Sequence, residues 1–379
     1  MKVLYVDQFS KTEGNDTIQL IEKINSQQTN FVVDAFFAEG TELISDKYNS
    51  TIYYGFKGAY TGNIFSKALN YLKSLRQLKH FIIKEKYDVV HLQWFSMPWF
   101  ERGFIRKIKK HAKIVITIHD VIPFHVRFGE MKALKKIYNL ADYLIVHSEH
   151  AKEQVQQIYS PIRPISVISS AFCDKSQYSI ADKNESRKKL GIPLDSFVVL
   201  YFGTIRDSKG LDILMNAIKK AHNVRKQIYL LSGGAFQGVN QDEYYLNANE
   251  IINGGYGNIK FDFIKKSDEK YYFSASDILC LPYKSGWQSG VAQLGLVYEL
   301  PIIASDLKEM EKVVIDHFNG VLFKTNDVED LSKAIEYAFD NPKELQKYKI
   351  NSDKIYQEKF SMDVKACDVI NCYNRLFAK

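Results

Sequence analysis

The sequence is poor in cysteine and has no apolar run long enough to cross a membrane. Its four cysteines form no Cys-x-x-Cys pair and no spacing typical of a disulfide framework, so reduced thiols in a cytoplasmic protein are the simplest expectation. No run of about 18 apolar residues occurs, so no transmembrane helix is expected. The first residues, Met1–Asp7, are typical of a strand, and they are too short and too acidic at Asp7 for a signal peptide.

A motif for binding RNA or DNA is also missing, although positive charge is concentrated in one part of the chain. The formal net charge is +7, yet residues 57–113 alone contain thirteen Lys or Arg against three acidic residues. A basic surface of this kind can bind nucleic acid or an anionic membrane, or it can simply face solvent. Without a recognisable motif, nucleic acid is the least favoured of the three.

What the sequence does contain is a regular alternation of strand-length apolar runs with helical segments. The runs are mostly continuous Val, Ile, Leu, Phe and Tyr, which is typical of strands buried on both faces of a parallel sheet. The predicted strands are Lys2–Asp7, Phe31–Phe37, Asp88–Trp94, Lys113–His119, Tyr143–Ser148, Ile165–Ser170, Phe197–Phe202, Gln227–Ser232, Asn258–Ile264, Asp277–Pro282, Pro301–Ser305 and Gly320–Lys324.

Six of these strands precede and six follow a polar stretch, Asp174–Arg187, which we interpret as a linker. A chain of 379 residues is also longer than one comfortable hydrophobic core. We therefore predict two doubly wound, Rossmann-like α/β domains, residues 1–175 and 188–360, with ligands at the carboxyl ends of the strands in a central cleft. The last segment, residues 361–379, is helical in pattern.

The stretch Phe197–Leu214 predicts an anion-binding turn. A buried strand ends at Gly203, and a helix begins near Gly210, so backbone N–H groups are free at a helix N-terminus. Arg206 and Lys209 add positive charge at the same place, which suits a phosphate or a diphosphate. The alternative is an ordinary strand–turn–helix corner with solvated basic residues.

A second turn of the same kind follows the strand that ends at Pro282. Ser289 is positioned to cap the next helix, which leaves the N–H groups of Gly290 and Val291 free to face a ligand. Two such helix starts would suit a diphosphate better than either alone. Elsewhere in this half, Gly233 ends a strand in a glycine turn, and Ile264 ends another where backbone groups could contact a nucleotide base.

In the first half, His119 lies at the carboxyl end of a buried strand and could donate a hydrogen bond to a sugar hydroxyl or act as an acid or base. His125 lies nearby, but no cysteine or acidic cluster completes a metal site, and His119 could equally be a structural residue. A helix over Asn63–Lys86 has one wide apolar face and basic residues between the apolar ones. It is either packed on the sheet with a basic outer face or in contact with anionic lipid.

Four segments in order resemble the family-four glycosyltransferases of group 1 type, which have the GT-B fold of two Rossmann-like domains. These segments are Thr117-x-His119-Asp120, Phe202–Asp212, Pro282 to Ser305 with Gln288-Ser289-Gly290, and Asn319–Phe323 followed by Asp327. The resemblance covers nearly the whole chain. It implies a retaining transfer from a nucleotide-diphosphate sugar to a glycan or lipid-linked acceptor, such as in bacterial surface polysaccharide synthesis, without a bound divalent metal.

The resemblance also implies that residues 1–175 bind the acceptor, that residues 188–360 bind the nucleotide sugar, and that the helix in residues 361–379 crosses back to the first domain. Lys209 matches the family lysine on the donor diphosphate, and Arg206 matches an arginine of one variant of the motif. Thr204 stands where the more widespread arginine falls, and His119 matches the histidine near the sugar. The implied catalytic residues are therefore His119, Arg206 and Lys209. The implied donor-binding residues are Gly203, Thr204, Gly233, Ile264, Gln288, Ser289, Gly290, Val291 and Glu309.

One departure from the family pattern is marked. Most members carry two glutamates at the positions that are Gly286 and Leu294 here. Gln288 or Gln293 could replace the usual carboxylate contact to the donor sugar, and Glu309 or Glu311 could supply an acid. A non-catalytic partner or chaperone subunit and a sugar-nucleotide epimerase therefore stay as alternative functions.

Overall fold

The computed structural model describes residues 1–27, 30–43, 45, 48–59, 63–123, 126–169, 174–238, 241–285 and 289–378. The chain divides into two compact units. Unit 1 comprises Met1–Ala171 together with Ser361–Lys379, and unit 2 comprises Phe172–Phe360.

Each unit is built on one parallel β-sheet. The strands are β1 Lys2–Asp7, β2 Val32–Ala38, β3 Ile52–Gly55, β4 Val89–Leu92, β5 Lys113–Thr117, β6 Tyr143–Val146, β7 Ile165–Val167, β8 Phe197–Phe202, β9 Ile228–Gly233, β10 Gly257–Lys260, β11 Ile278–Leu281, β12 Ile302–Ser305 and β13 Gly320–Phe323. The seven strands of unit 1 lie in the order β3-β2-β1-β4-β5-β6-β7, and the six of unit 2 in the order β10-β9-β8-β11-β12-β13. In both sheets the order reverses beside the first strand, which confirms the predicted doubly wound α/β class.

Helices lie between most consecutive strands and cover the sheets. They are α1 Ser10–Ser26, α2 Ile64–Glu85, α3 Pro98–Ile108, α4 Glu130–Leu140, α5 Glu149–Tyr159, α6 Lys183–Leu190, α7 Leu211–Val224, α8 Gln241–Asn253, α9 Lys266–Ala275, α10 Gly290–Val297, α11 Val328–Asp340, α12 Pro342–Ile355 and α13 Met362–Arg375. Within the described part of the chain, no helix is both long and apolar enough to span a membrane.

Two sequence-based expectations were wrong. The sheet of unit 1 has seven strands and not six, because Ile52–Gly55 pairs in parallel with β2 as an edge strand. This strand has only four residues and none of them is buried, so it leaves no continuous apolar run in the sequence. The stretch Asp174–Arg187 is not a plain linker, since α6 begins within it at Lys183.

The side chain of Arg187 explains why that polar stretch is ordered. Arg187 is buried, and its guanidinium donates hydrogen bonds to the carbonyl oxygens of Ala275 and Leu194 and to the carboxylate of Asp277. Burying a guanidinium is unfavourable unless hydrogen bonds and an opposite charge compensate it, and these three bonds supply both. The residue therefore fixes α6 onto unit 2.

The predicted helix over Asn63–Lys86 is confirmed as α2, and it has two different faces. Asn63 caps its start by accepting a hydrogen bond from the Ser66 N–H, and Lys86 ends it in the left-handed conformation. The inward face packs in the core of unit 1 through Tyr71, Leu75, Leu78 and Ile82. The outward face is a mixture of exposed apolar and basic side chains, which are Phe65, Leu69, Lys73 and Arg76.

Helix α13 belongs to the core of unit 1 although it lies at the end of the chain. It packs against α1, and Tyr373 is fully buried among residues of the sheet. The Tyr373 hydroxyl lies 2.8 Å from Nδ1 of His91, whose Nε2 lies 2.8 Å from the Thr117 hydroxyl. Burial lowers the pKa of His91 to about 3, so this strand-to-helix link is made by a neutral imidazole.

Candidate functional site

The turn after β8 in unit 2 approaches the end of β11 very closely. The backbone is in the left-handed region at Gly203 (φ +105°) and Gly210 (φ +67°), and a short 3₁₀ turn, Asp207–Lys209, lies between them. A Cβ atom at Gly210 would lie 1.8 Å from the carbonyl oxygen of Pro282, which no side chain could tolerate. Glycine is therefore required at position 210 both for the backbone angle and for the contact.

The two predicted anion-binding turns are neighbours within unit 2. A Cβ atom at Gly203 would lie 3.1 Å from a methyl group of Val291, in the first turn of α10. Ser289 caps α10 by accepting a hydrogen bond from the Ala292 N–H at 3.3 Å, and its hydroxyl is 2.8 Å from that of Tyr283. The start of α10, where helix geometry leaves N–H groups without a partner in the helix, and the Gly203 turn therefore share one edge of the sheet. The Gly203 N–H itself donates to the Gly233 carbonyl oxygen.

Lys209 lies at this edge without a carboxylate partner among the described residues. Its ammonium sits 3.6 Å from the centre of the Tyr283 ring, a cation–π contact. Burial, together with the positive charge of Arg206, lowers the pKa of Lys209 to about 8. A partly desolvated cation of this kind favours an anionic ligand.

Arg206 is exposed, and its Nε donates a hydrogen bond to Gln237 Oε1 at 2.7 Å. A third basic residue, Lys284, was not predicted from the sequence, and it forms ion pairs with Asp207 at 2.7 Å and Asp212 at 2.9 Å. Because Lys284 is already paired on both sides, its contribution is to hold the turn in place. Lys284 lies two residues after Pro282, within the second predicted anion-binding turn, and this position was the only sign of it in the sequence.

The other predicted donor-binding residues lie in different places. Gly233 and Ile264 adjoin, since a Cβ atom at Gly233 would lie 2.8 Å from the Ile264 side chain. Thr204 is exposed beside Gly203. Glu309 forms an ion pair with Lys312 at 2.9 Å and has no hydrogen bond or ion pair to the Lys209 edge in the part of unit 2 that the structure describes. Gln288 and Gly286 lie outside the described residues.

Unit 1 contains a cavity of about 680 Å³ at the carboxyl ends of its strands. Its walls are largely aromatic and aliphatic, with a few polar groups, and they include His119, Gln93, Trp94, Ser96, Tyr71, Tyr138 and Arg127. Such a mixture is typical of a small-molecule site in which aromatic rings supply area and a few polar groups supply specificity.

His119 is held in this cavity wall by three contacts. Its ring stacks on Trp94 with 4.1 Å between centroids, its Nε2 lies 3.0 Å from the Gln93 side-chain amide, and its Nδ1 lies 3.2 Å from Nε2 of His147. Nδ1 of His147 in turn lies 3.0 Å from the carbonyl oxygen of Ile168. Burial lowers the pKa of His119 well below its ordinary value and that of His147 to about 4, so both rings are neutral.

Gln93 and His147 were not singled out from the sequence, yet His147 had a recognisable position. Strands β5 and β6 pair with Thr117 opposite Ile145, so His119 and His147 each lie two residues beyond a paired position at the same sheet edge. Predicting their contact required the strand register, which the sequence alone did not supply. His125 lies outside the described residues, and no group of three or more His, Cys, Asp or Glu that could hold a metal ion occurs among those that are described.

Glu101 is a second buried ionisable group behind the cavity. Its carboxylate accepts a short hydrogen bond from the Tyr71 hydroxyl and one from the Met97 N–H at 2.9 Å. Burial raises the pKa of Glu101 to about 7 despite these donors. Tyr71 and Met97 both line the cavity, so the hydrogen bonds that Glu101 accepts hold two parts of its wall in position.

Comparisons with known proteins agree with this division of the chain. Residues 41–172 match the family described as Glycosyltransferase Family 4, and residues 182–355 match Glycosyl transferases group 1. A Bacillus subtilis glycosyltransferase whose name assigns it to teichuronic acid biosynthesis, TuaC, is 26% identical over 65% of this chain, and the match spans only 60% of that protein. A 41.2 kDa protein of the Klebsiella pneumoniae cps region is 25% identical over 72% of this chain and 75% of its own length.

Solved structures with much lower identity share the fold. A glycosyltransferase from Rickettsia africae superimposes with a TM-score of 0.75 at 15% identity, over 100% of this chain and 99% of that one. HepE of Anabaena, in a complex with UDP and glucose, has a TM-score of 0.67 at 17% identity, over 99% of this chain and 100% of its own. Two family matches in chain order, curated relatives and the two parallel sheets lead to one conclusion: the chain belongs to the group 1, family-four glycosyltransferases and has the GT-B fold.

Proposed function

We propose that the protein is a retaining hexosyltransferase that moves a sugar from a nucleotide-diphosphate sugar to a glycan or lipid-linked acceptor in bacterial surface polysaccharide synthesis. Unit 2 would bind the donor and unit 1 the acceptor. The observation that carries the proposal is Lys209, a partly buried cation without a carboxylate partner among the described residues, beside the Gly203 turn and close to the start of α10. A diphosphate would satisfy the cation and the free N–H groups together.

The reaction breaks the bond between the anomeric carbon of the sugar and the diphosphate oxygen, and it forms a bond from the same carbon to an acceptor hydroxyl oxygen. The hydroxyl proton passes to the departing diphosphate, and attack on the face that the diphosphate leaves retains the anomeric configuration. Lys209 and Arg206 would stabilise the negative charge that grows on the leaving group, an effect worth several kcal/mol in comparable sites. We propose that these cations serve in place of a divalent metal.

His119 would orient the sugar or the acceptor and would not carry a charge. Its neutral ring, stacked on Trp94 and bonded to Gln93 and His147, has the rigidity that a positioning residue needs. The relatives support a sugar-polymer pathway, since one is named for teichuronic acid biosynthesis and another lies in a cps region. The UDP and UDP-glucose complexes of HepE make UDP-sugars the first donors to test.

Binding and turnover measurements test the proposal separately. In calorimetry with UDP, GDP and ADP, at least one should bind the wild type, and Lys209→Ala should reduce its affinity by about tenfold or more. Arg225→Ala is a matched control, because Arg225 is a surface cation of unit 2 paired with Asp340. Unchanged affinity in Lys209→Ala would remove the diphosphate role from this turn.

The alternative functions predict other products. The substitution of Gly286 and Leu294 for the family glutamates motivates a non-catalytic partner subunit, which would bind a nucleotide yet neither transfer nor hydrolyse any nucleotide sugar. An epimerase would isomerise the donor without an acceptor. A screen of UDP-, GDP- and ADP-sugars with product analysis distinguishes these outcomes from transfer.

We further propose that unit 1 binds anionic lipid at the inner face of the cell membrane, through the outward face of α2. Phe65 is 84% exposed and Leu69 is 68% exposed, and Lys73 and Arg76 continue the same face along the helix. Exposed apolar side chains next to cations are typical of helices that lie in the membrane interface, with about 1 kcal/mol for each basic side chain near the surface. The competing interpretation is a solvated helix face.

Sedimentation with vesicles tests the membrane proposal. The wild type should sediment at low salt with phosphatidylglycerol-containing vesicles and less with pure phosphatidylcholine vesicles. Phe65→Ser combined with Leu69→Ser should weaken this binding, whereas Leu246→Ser, an exposed leucine of unit 2, should not. A wild type that stays in solution with both kinds of vesicle would contradict the proposal.

A further inference from the structure

A row of hydrogen bonds links the Ile168 carbonyl group, His147, His119 and Gln93. The Ile168 end determines which atom is the donor at each step. The carbonyl oxygen of Ile168 can only accept, so Nδ1 of His147, 3.0 Å away, must carry a proton and donate it. Because His147 is neutral in its buried position, its Nε2 is then an unprotonated acceptor. The 3.2 Å contact between this atom and Nδ1 of His119 therefore requires His119 to donate from Nδ1.

The same reasoning applied to His119 fixes the orientation of Gln93. A neutral His119 that is protonated on Nδ1 has an unprotonated Nε2, and the Gln93 atom 3.0 Å from it is placed as Oε1. Two acceptors cannot form a hydrogen bond, so this amide must be turned over. Only the NH₂ group of the amide can donate to it. The oxygen and nitrogen of a side-chain amide have nearly the same shape, so their assignment follows from the hydrogen bonds around them. The group that faces His119 is thus the NH₂, and the carbonyl oxygen takes the other position.

The carbonyl oxygen of Gln93 is then the group without a partner. The second amide position of Gln93 is buried and makes no hydrogen bond to any described residue, although the side chain lines the unit 1 cavity and is only 4% exposed. The hydroxyl of Ser96, in the same cavity wall, is also buried, and it makes no hydrogen bond to any residue that the structure describes. A buried acceptor without a partner is unfavourable, and a ligand that supplies a donor would remove this cost.

We propose that Gln93 binds a hydroxyl group of the acceptor saccharide through its carbonyl oxygen, in an orientation imposed by His119, His147 and Ile168. The proposal rests on the proposed function, because it takes the cavity to be the acceptor site. It makes His119 a positioning residue that acts on the acceptor through Gln93. It also assigns the polyhydroxylated end of the acceptor, and not an acyl chain, to this part of the cavity.

The opposite direction of the chain would need a different charge. If His119 donated from Nε2 to a Gln93 carbonyl, Nδ1 of His119 would be an acceptor, and His147 would have to donate from both nitrogens. His147 would then be a buried imidazolium, which burial and the positive charge of Lys365 both disfavour. The two directions differ in where the protons lie, so they can be told apart without a ligand.

Nitrogen-15 NMR of histidine-labelled protein at neutral pH measures those positions. We expect His119 and His147 both to be neutral and protonated on Nδ1, with assignments from His119→Gln and His147→Gln variants. In Gln93→Glu the carboxylate cannot donate to His119, so Nε2 of His119 should gain a proton. Detection of His119 protonated on Nε2 in the wild type, or of a doubly protonated His147, would overturn the orientation of Gln93.

Transfer assays test the binding role. With the best donor of the screen, and with alkyl glycosides and polyprenyl-phosphate-linked sugars as acceptors, Gln93→Leu should lower kcat/KM for the acceptor by about tenfold or more, the effect of one lost hydrogen bond of about 1.4 kcal/mol. UDP binding should stay unchanged in Gln93→Leu. The control is Asn139→Leu, which changes a unit 1 amide outside the cavity wall and should leave both UDP binding and kcat/KM for the acceptor unchanged. Equal kcat/KM in Gln93→Leu would overturn the role of Gln93. A wild type that uses no acceptor would speak against the proposed function, and the NMR result would still decide the orientation.

Discussion

The pKa of Lys209 makes nucleotide binding depend on pH in a predictable direction. In the free protein, burial and Arg206 hold this pKa at about 8, below the ordinary lysine value of 10.5. A bound diphosphate favours the charged ammonium, so the pKa of Lys209 must rise on binding. Binding is therefore coupled to proton uptake, and the affinity should fall as the pH rises through about 8.

The magnitude follows from the protonated fraction of the free protein. With a pKa of about 8, Lys209 is about nine-tenths protonated at about pH 7 and about one-tenth protonated at about pH 9. The dissociation constant of the nucleoside diphosphate should thus rise by about tenfold over this range, which corresponds to about 1.4 kcal/mol. Near pH 8 the binding should take up about half a proton for each ligand.

Calorimetry in buffers of different ionisation enthalpy measures both quantities. Lys209→Arg is the informative variant, because arginine stays protonated throughout this range. It should retain binding but lose the pH dependence and the proton uptake, and it also controls for titration of the ligand itself. Equal affinities at about pH 7 and pH 9 in the wild type, or the same pH dependence in Lys209→Arg, would refute the assignment of Lys209 to the diphosphate.

Three further predictions concern stability and turnover. In urea unfolding, Gly210→Ala should destabilise unit 2 by several kcal/mol more than Gly191→Ala. Both glycines have φ near +66°, but a Cβ atom at Gly191 meets no atom within 4 Å, whereas one at Gly210 meets the Pro282 carbonyl oxygen. Equal losses of stability would contradict the close contact with Pro282. Burial lowers the pKa of His91 to about 3 and that of His147 to about 4, so the unfolded state binds more protons than the folded state. The free energy of unfolding should therefore decrease below about pH 6.5, by up to about 1.4 kcal/mol per pH unit for each histidine. The slope should be shallower in His91→Gln, and an unchanged slope in this variant would refute the assignment to His91. His119→Ala should lower turnover without altering UDP affinity; unchanged turnover would make His119 a purely structural residue.

The parts of the fold that could be predicted from the sequence are those in which the signal is local. Strand β8 was predicted at its observed bounds, because Phe197–Phe202 is an unbroken apolar run that ends at a glycine. Strand β3 was missed, because Ile52–Gly55 is an edge strand with no buried residue and depends on its pairing with β2. The order in Asp174–Arg187 was missed for a related reason, since the partners of Arg187 lie far away in the sequence.

The candidate site divides in the same way. The placement of Gly203 and Lys209 in one turn could be predicted from the sequence, since a glycine and a nearby cation lie within one short segment. The contacts of Lys209 with Tyr283 and of Lys284 with Asp207 join segments on different strands, so their geometry needed the structure. The hydrogen bonds that join Gln93, His119 and His147 could not be predicted either. They depend on strand register, burial and proton positions, which a sequence motif does not contain.

The position of α13 has a consequence for synthesis on the ribosome. Unit 1 starts at the beginning of the chain, yet the helix that covers α1 and supplies Tyr373 to His91 is translated only after all of Phe172–Phe360. Until then, the apolar groove of unit 1 that α13 fills has no cover, and one nitrogen of the buried His91 has no partner in the native arrangement. Unit 2, in contrast, is continuous in sequence and can complete its sheet as it emerges. The first unit to be made should therefore be the last to finish folding, and the docking of α13 should be its closing step.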